Sequence, residues 1–240
     1  MKRRIALFLD YDGTLREIER EPVAAEPTPP VHDLLKRLSN LSNVDVTVVS
    51  GRSRDDLQAW FGAYPFRLIA EHGASRRQPG ALVWEQLDRT VNYAWKKELL
   101  NILRLYEEAT PGSFVEEKCS SLVWHYRKAD QEFGAWKARK LTRQLAALTA
   151  NQPIQVYHGK KIVEVCAAQV NKGAAVAQVL GEEGPYECVV CAGDDRSDET
   201  MFELNTPGLL TVKVGDGPTR ARFRLADPAR FRQFLSMPLS

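Results

Sequence analysis

The chain has 240 residues, of which 44% are hydrophobic and 27% charged, and a net charge of +2. That is the composition of an ordinary globular protein, long enough for two domains or for one domain with a large insertion. The near-neutral balance gives no basis for a nucleic-acid surface. The apolar run at the N-terminus is too short for a signal peptide or a membrane span, so a cytoplasmic location without a membrane partner is expected.

Ile5–Leu9 is a continuous apolar run of strand length, the pattern of a strand covered on both faces. It ends in Asp10-Tyr11-Asp12-Gly13. Residues i and i+2 of an extended chain point to one side, so both carboxylates are presented at the strand's carboxyl end. Open α/β sheets place their ligands there. Neighbouring carboxylates repel unless a cation or a shared proton intervenes, and oxygen ligands without His or Cys favour a hard ion such as Mg²⁺. A lone Asp-x-Asp-Gly is more often a solvated turn. The rest of the chain changes that balance.

Thr28-Pro29-Pro30 opens a helix, with Val31, Leu34, Leu35, Leu38 and Leu41 at helical spacing. Val44–Val49 is a second strand-like run, ending in Ser50-Gly51-Arg52. Ser53 and Asp56 resemble a capping box that starts a short helix. Arg67–Ala70 is a third strand, ending in Glu71-His72-Gly73. This βαβαβ rhythm predicts a parallel sheet with right-handed crossovers.

The rhythm then changes. Gln78-Pro79-Gly80 reads as a hairpin turn with Ala81–Trp84 as its second strand. A long helix is predicted over 88–109, with Val91, Trp95, Leu99, Ile102 and Tyr106 on one face. Strands near 113–118 and 121–127 precede a helix over 130–150 that carries Phe133, Trp136, Leu141, Leu145 and Leu148. Two more strands, 154–157 and 161–166, flank His158-Gly159-Lys160. The first rhythm returns with Asn171 capping a helix, strand Cys188–Ala192, the acidic loop Gly193-Asp194-Asp195-Arg196-Ser197-Asp198, a strand at 209–214 and a last helix after Pro228. The fold class expected is α/β: a Rossmann-like parallel-sheet core with helices on both faces, residues 1–76 and 169–240, plus an inserted α+β domain, residues 77–168. Cys188 and Cys191 have zinc-like spacing, but no second pair completes a site, and i and i+3 of a strand face opposite sides; free buried thiols are expected.

Four sheet-end positions therefore carry chemistry-grade residues: Asp10 and Asp12; Ser50; Lys172 in the first turn of a helix; and Asp194, Asp195 and Asp198. Together they suit phosphoryl transfer. A carboxylate attacks phosphorus, Mg²⁺ sits between carboxylates and phosphate oxygens, and Ser50 and Lys172 offset the remaining charge.

In this order the residues resemble the haloacid dehalogenase-like phosphohydrolases, whose motifs are Asp-x-Asp-Gly-Thr, a Ser or Thr after the second strand, a Lys, and Gly-Asp-Asp-x-x-Asp. The resemblance implies Asp10 as nucleophile and Asp12 as general acid, then base. It implies Mg²⁺ held by Asp10, the Asp12 carbonyl and Asp194, with Asp195 and Asp198 in support. The inserted domain would be the family's mobile cap.

The cap is expected to choose the substrate. Along 121–127, Leu122, Trp124 and Tyr126 share one face, while Val123, His125 and Arg127 share the other. Glu116 with Lys118, and Lys160 with Glu164, likewise pair on one side, a surface suited to many hydroxyls. Glu116-Glu117-Lys118, the run from Ser121 to Asp130, Glu71-His72-Gly73 and Gly193–Phe202 closely resemble trehalose-6-phosphate phosphatases. The resemblance implies that Glu116, Lys118, His125, Arg127, Lys160 and Glu164 contact the disaccharide, with Arg52 and His72 also on the substrate side. It further implies a sugar phosphate as ligand; a trehalose-6-phosphate synthase is the candidate protein partner, and a monomer is expected. One segment departs. Cys166-Ala167 stands where that family usually has Arg-Pro, which leaves open another glycosyl phosphate, such as a sucrose, glucosylglycerol or mannosylglycerate phosphate. A phosphomutase and an inactive sugar-phosphate-binding regulatory module are further alternatives.

Overall fold

The computed structural model describes residues 4–19, 22–159 and 161–237. In chain order the elements are β1 (Ile5–Leu9), α1 (Pro29–Ser39), β2 (Val44–Val49), α2 (Arg54–Phe61), β3 (Arg67–Ala70), β4 (Ser75–Arg77), β5 (Glu85–Gln86), α3 (Trp95–Glu108), β6 (Phe114–Glu117), β7 (Ser121–His125), α4 (Gln131–Leu148), β8 (Ile154–Gly159), β9 (Ile162–Ala167), α5 (Lys172–Glu183), β10 (Cys188–Gly193), α6 (Glu199–Phe202), β11 (Leu209–Val214), β12 (Phe223–Leu225) and α7 (Pro228–Leu235). They form two compact units, residues 1–87 with 171–240, and residues 88–170. None of these helices is long and apolar enough to cross a membrane.

The first unit is an eight-stranded sheet in the order β12-β11-β10-β1-β2-β3-β4-β5. From β12 to β3 all neighbours are parallel. The chain winds outward from β1 in both directions, so the strand order reverses beside β1, which is where doubly wound sheets open a crevice. Helices cover both faces. Val31, Leu34, Leu35 and Leu38 of α1, Leu57 and Phe61 of α2, and Phe231 and Leu235 of α7 join Leu7 and Leu9 in one core. Ala175, Val176 and Val179 of α5 and Met201 and Phe202 of α6 join Ala6 and Phe8 in the other. Each buried Val, Leu, Phe or Met side chain among these contributes about 1.5–3 kcal/mol by burial. Alternation along β1 thus supplies both cores, as its unbroken apolar run requires. Cys188 packs against the first core and Cys191 lies inside the second; all four cysteines are free.

Three elements differ from the sequence expectation here. The strand expected at 81–84 is absent: β4 and β5 flank a longer turn, and Leu82 and Val83 are exposed. That hairpin hydrogen-bonds antiparallel to β3 and so extends the core sheet. The inserted unit accordingly begins at residue 88 rather than 77, and ends at 170. At the opposite edge, β12 pairs with β11 where no strand was expected.

The second unit is a four-stranded antiparallel sheet, β6-β7-β9-β8. Leu99 and Leu103 of α3 and Ala138, Leu141 and Leu145 of α4 pack with Leu122, Trp124, Val163 and Val165. The helix expected from residue 88 starts only at Trp95. On α4 the inward stripe is Gly134, Ala138, Leu141 and Leu145. Phe133, Trp136 and Leu148, the other apolar residues named on this helix, are each more than 40% exposed. Gly134 faces the Tyr126 ring, with space for a Cβ only at 3.0 Å, so the small residues, not the aromatic ones, let the helix approach the sheet.

Candidate active site

Asp10 follows β1 directly, and its N–H donates to Ala192 O at 3.0 Å, tying it to the end of β10. Its carboxylate is buried. Lys172 Nζ donates to Asp10 Oδ1 at 2.7 Å and Thr14 Oγ1 donates to Oδ2 at 2.8 Å. Lys172 sits at the first position of α5, where Asn171 caps the helix by accepting the Ala174 N–H. The same Nζ donates to Asp198 Oδ1 at 2.7 Å. Asp198 Oδ2 accepts the backbone N–H groups of Asp194 and Asp195, each at 3.0 Å, and so shapes the acidic loop. Lys213, a buried lysine near the end of β11, donates to the Asp194 carbonyl.

Carboxylate oxygens of Asp10, Asp194 and Asp198 lie within 4.8 Å of one another. Gly13 has φ +84°, and a Cβ there would stand 2.1 Å from Asp194 Oδ2. Only glycine lets the loop after β1 pass this close. Burial, opposed by Lys172 and reinforced by Asp194, pushes the Asp10 carboxyl up to about 7. Burial and the neighbouring Asp195 and Asp198 likewise push Asp194 up to about 7. For Asp195 burial acts upward, but the Lys172 charge and the Ser197 hydrogen bonds outweigh it and leave that carboxyl at about 2. Burial opposes the Lys172 charge too, yet Asp10 and Asp198 hold the ammonium well above the usual lysine range. Burial and the Asp10 charge push the Asp198 carboxyl well up too, against the pull of Lys172; with all four carboxyls ionised they would exceed Lys172 and Lys213 by two negative charges. The donor set is oxygen only, and both features fit a hard divalent cation.

Asp12 and Arg52 form a separate pair. Arg52 Nε and Nη2 donate to Asp12 Oδ2 and Oδ1 at 2.8 and 2.7 Å, and the guanidinium lies 5.1 Å from the Trp60 ring centre. The Arg52 N–H donates to Ser50 Oγ at 3.1 Å. Ser50 is buried at the end of β2. The His72 N–H donates to the Ser50 carbonyl and the Glu71 N–H to the Arg52 carbonyl, which joins the loops after β2 and β3. Glu71 and His72 both hold left-handed backbone conformations. A Cβ at residue 51 would meet the His72 ring at 2.4 Å, which accounts for Gly51.

In the second unit, register sets Glu116, Val123 and Glu164 side by side across β6, β7 and β9. His125 Nε2 lies 2.8 Å from Glu116 Oε2, and Ser121 Oγ donates to Glu164 Oε1 at 2.8 Å. Tyr157 stands opposite Glu164 on β8. Lys118 is half-buried just beyond β6, and Arg127 is exposed beyond β7. Lys160 lies outside the described residues. Cys166, in the segment that departs from the expected Arg-Pro, is paired across the sheet with Ser121 and Gln155; burial and the Glu164 charge push its thiol up to about 12.

The sequence reading missed Thr14, Lys213, Ser121 and Tyr157. Thr14 belongs to the motif but had been given no role. Lys213 left a signal: a lone lysine in an apolar strand that ends at the same sheet edge.

A family model described as trehalose-phosphatase matches residues 8–229. The chain belongs to the trehalose-phosphatase family. A bifunctional trehalose-6-phosphate synthase/phosphatase of Thermoproteus tenax is 41% identical over 234 residues, covering 98% of this chain and 32% of that one. The chain spans 32%, 27% and 28% of the length of three of the curated relatives it matches. Among solved structures, the C-terminal domain of Candida albicans trehalose-6-phosphate phosphatase superposes with a TM-score of 0.86 at 32% identity, covering 97% of this chain and 91% of that one. A haloacid dehalogenase-like hydrolase from B. subtilis shares the fold, with a TM-score of 0.67 at 13% identity over 98% and 99% of the two chains.

Proposed function

We propose that the protein hydrolyses trehalose 6-phosphate to trehalose and phosphate. The observation that carries this reading is the Asp10 carboxylate, held at a sheet-end crevice by Lys172 and Thr14, in a chain whose relatives carry that activity in their names. Asp10 attacks phosphorus while the bond from phosphorus to the sugar oxygen breaks. Asp12 gives its proton to the departing oxygen and releases trehalose. Asp12 then takes a proton from water as the water oxygen attacks the aspartyl-phosphate, which frees phosphate and restores Asp10. Lys172 fixes Asp10 and offsets charge on the phosphoryl oxygens, and Ser50 donates to them. The residues present fit Mg²⁺: Asp10 and Asp194 would hold it with the Asp12 carbonyl, and Asp195 and Asp198 support the loop. Bound there, Mg²⁺ neutralises the excess carboxylate charge and that of the phosphoryl group.

Residues 88–170 act as the cap that selects the sugar. Glu116, His125 and Glu164, with Lys118, Arg127 and Lys160, supply donors and acceptors for hydroxyls. Cys166 removes a cation from that surface relative to the usual arginine, and a second glycosyl phosphate is the substrate this change favours next. The protein is read as a cytoplasmic monomer; its working beside a trehalose-6-phosphate synthase is supported by the two activities named together in the Thermoproteus relative. The test is phosphate release from trehalose 6-phosphate, sucrose 6-phosphate and glucose 6-phosphate, with and without Mg²⁺. Release from the first, abolished by chelator and by Asp10→Asn, is expected. Preference for another sugar phosphate overturns the cap assignment. Release from none, by folded protein, overturns the phosphatase reading in favour of a binding module.

A further inference from the structure

Strand register lays out the sheet of the second unit in rows. One row runs Glu116, Val123, Glu164 and Tyr157 across β6, β7, β9 and β8. The next runs Ser121, Cys166 and Gln155 across β7, β9 and β8. Directly opposite residues, and residues two apart on one strand, point to the same side of a sheet. The other side is the packed one: Leu122, Trp124, Val163 and Val165 lie in the core with α3 and α4. Ser121, Glu164 and Cys166 therefore share the face that α3 and α4 leave uncovered.

Glu164 is a carboxylate only 7% exposed. Such a group is costly to bury unless hydrogen bonds hold it. Ser121, 2% exposed, supplies one: its Oγ donates to Glu164 Oε1 at 2.8 Å. The bond runs diagonally between strands, since Ser121 stands opposite Cys166 and Glu164 lies two residues before Cys166 on β9. A seryl hydroxyl has a single proton to give, and here Glu164 has it. Ser121 is itself fixed at the start of β7, where its carbonyl accepts the Lys118 N–H at 3.0 Å. Serine turns about one side-chain bond to place its oxygen, whereas glutamate turns about three, so the shorter side chain orders the longer one. Cys166, the residue opposite Ser121, brings only a thiol, a weak donor.

We infer that Ser121 is a positioning residue for substrate recognition: its hydroxyl holds the Glu164 carboxylate in the orientation that accepts hydrogen bonds from the sugar. An ionised carboxylate accepts and does not donate, so a group held in this way suits the hydroxyls of a polyol and repels a second anionic group. The inference rests on the reading of this face as the one that meets the sugar.

The experiment is steady-state hydrolysis of trehalose 6-phosphate and of para-nitrophenyl phosphate by the unsubstituted protein, Ser121→Ala, Glu164→Ala and the double variant. Ser121→Ala should raise KM for the sugar phosphate roughly tenfold, the loss of one hydrogen bond to a charged group. Its kcat on the sugar phosphate and its turnover of the aryl phosphate should stay within about twofold, since binding and not chemistry is lost. In Glu164→Ala the carboxylate is gone, and adding Ser121→Ala should cost nothing more. An unchanged KM in Ser121→Ala overturns the inference. Equal losses on both substrates overturn it too, as does a Ser121→Ala penalty that persists in the Glu164→Ala background, because the hydroxyl then does not act through Glu164. Should Ser121→Ala fail to fold, Ser121→Cys keeps the size and weakens the donor; the same rise in KM is expected, and an unchanged KM overturns the inference. Should sucrose 6-phosphate prove the better substrate, the same proteins are compared on it. Failure of the underlying reading has its own signature. A Glu164→Ala variant with unchanged KM removes the sugar face and the inference together, whereas a penalty in Glu164→Ala without one in Ser121→Ala removes the inference alone.

Discussion

Arg52 grips Asp12 through two parallel hydrogen bonds, Nε to Oδ2 at 2.8 Å and Nη2 to Oδ1 at 2.7 Å. The planar fork is itself fixed, stacked near Trp60 and tied through its own N–H to Ser50. The fork holds the ionised form of Asp12 in one orientation, the form that takes a proton from water; its turn as acid requires a proton in place of one of the two hydrogen bonds. Arg52 was expected to meet the substrate; its fork is engaged here by Asp12, the residue assigned as acid and base. Arg52→Ala should therefore lower kcat about 100-fold, the scale of a misplaced acid–base group, with a smaller change in KM. Arg52→Lys should recover little, since one ammonium cannot form the fork. Steady-state kinetics check this, and a kcat within about twofold of the unsubstituted protein would show that Asp12 does not depend on Arg52.

Lys172 stands between two buried carboxylates, Asp10 and Asp198. Lys172→Met removes the cation and leaves both uncompensated, a change of about 3–5 kcal/mol for a buried pair. Urea unfolding in the absence of metal should show a loss on that scale, and phosphatase activity should vanish. A metal-free stability within about 1 kcal/mol of the unsubstituted protein would mean that the cluster relaxes by binding protons instead.

The same cluster sets a pH dependence. Asp10 and Asp194 are each raised from the usual 3.8 to about 7. A raised folded-state value means that the native protein binds protons the unfolded chain has released. The contribution of these groups is fully present below about pH 4 and is lost as pH rises through about 7. Mg²⁺ binds the deprotonated form. The gain in Tm on adding saturating Mg²⁺ should then be small near pH 5 and large near pH 8, in thermal unfolding of chelator-treated protein. Equal gains at both values would place the cation elsewhere. Gly13→Ala, which puts a Cβ against Asp194 and strains a left-handed residue, should abolish the gain at either pH.

How much of this was legible beforehand depends on what each element answers to. The six parallel strands are fixed by local patterns, except β12. That strand is three residues long, Phe223-Arg224-Leu225, and exists because β11 offers it an edge. The limit of the inserted unit lay beyond reading, because only pairing with β3 shows to which sheet the hairpin of β4 and β5 belongs. On α4, apolar spacing pointed to Phe133 and Trp136, but tight approach to Tyr126 selects Gly134 and Ala138 for the inside. Spacing reports hydrophobicity and not shape. At the site, Asp10, Lys172 and Asp198 could be named from motif order. The Arg52–Asp12 pair could not, since 40 residues separate its members.

The sugar-selecting role of the second unit has a test that separates recognition from chemistry. Lys118 and Arg127 flank the face that carries Glu116, His125 and Glu164. If that face holds the sugar, its contacts act on trehalose 6-phosphate and have nothing to grip on an aryl phosphate. Lys118→Ala and Arg127→Ala should each cut kcat/KM for the sugar phosphate by about 10- to 100-fold, the scale of one or two charged hydrogen bonds. Turnover of para-nitrophenyl phosphate should stay within about twofold, because Asp10, Asp12 and Lys172 are untouched. A split between the two substrates is the signature of binding energy drawn from the cap. Equal losses on both would mean that these residues support the fold or the chemistry itself, and would remove the second unit from substrate selection.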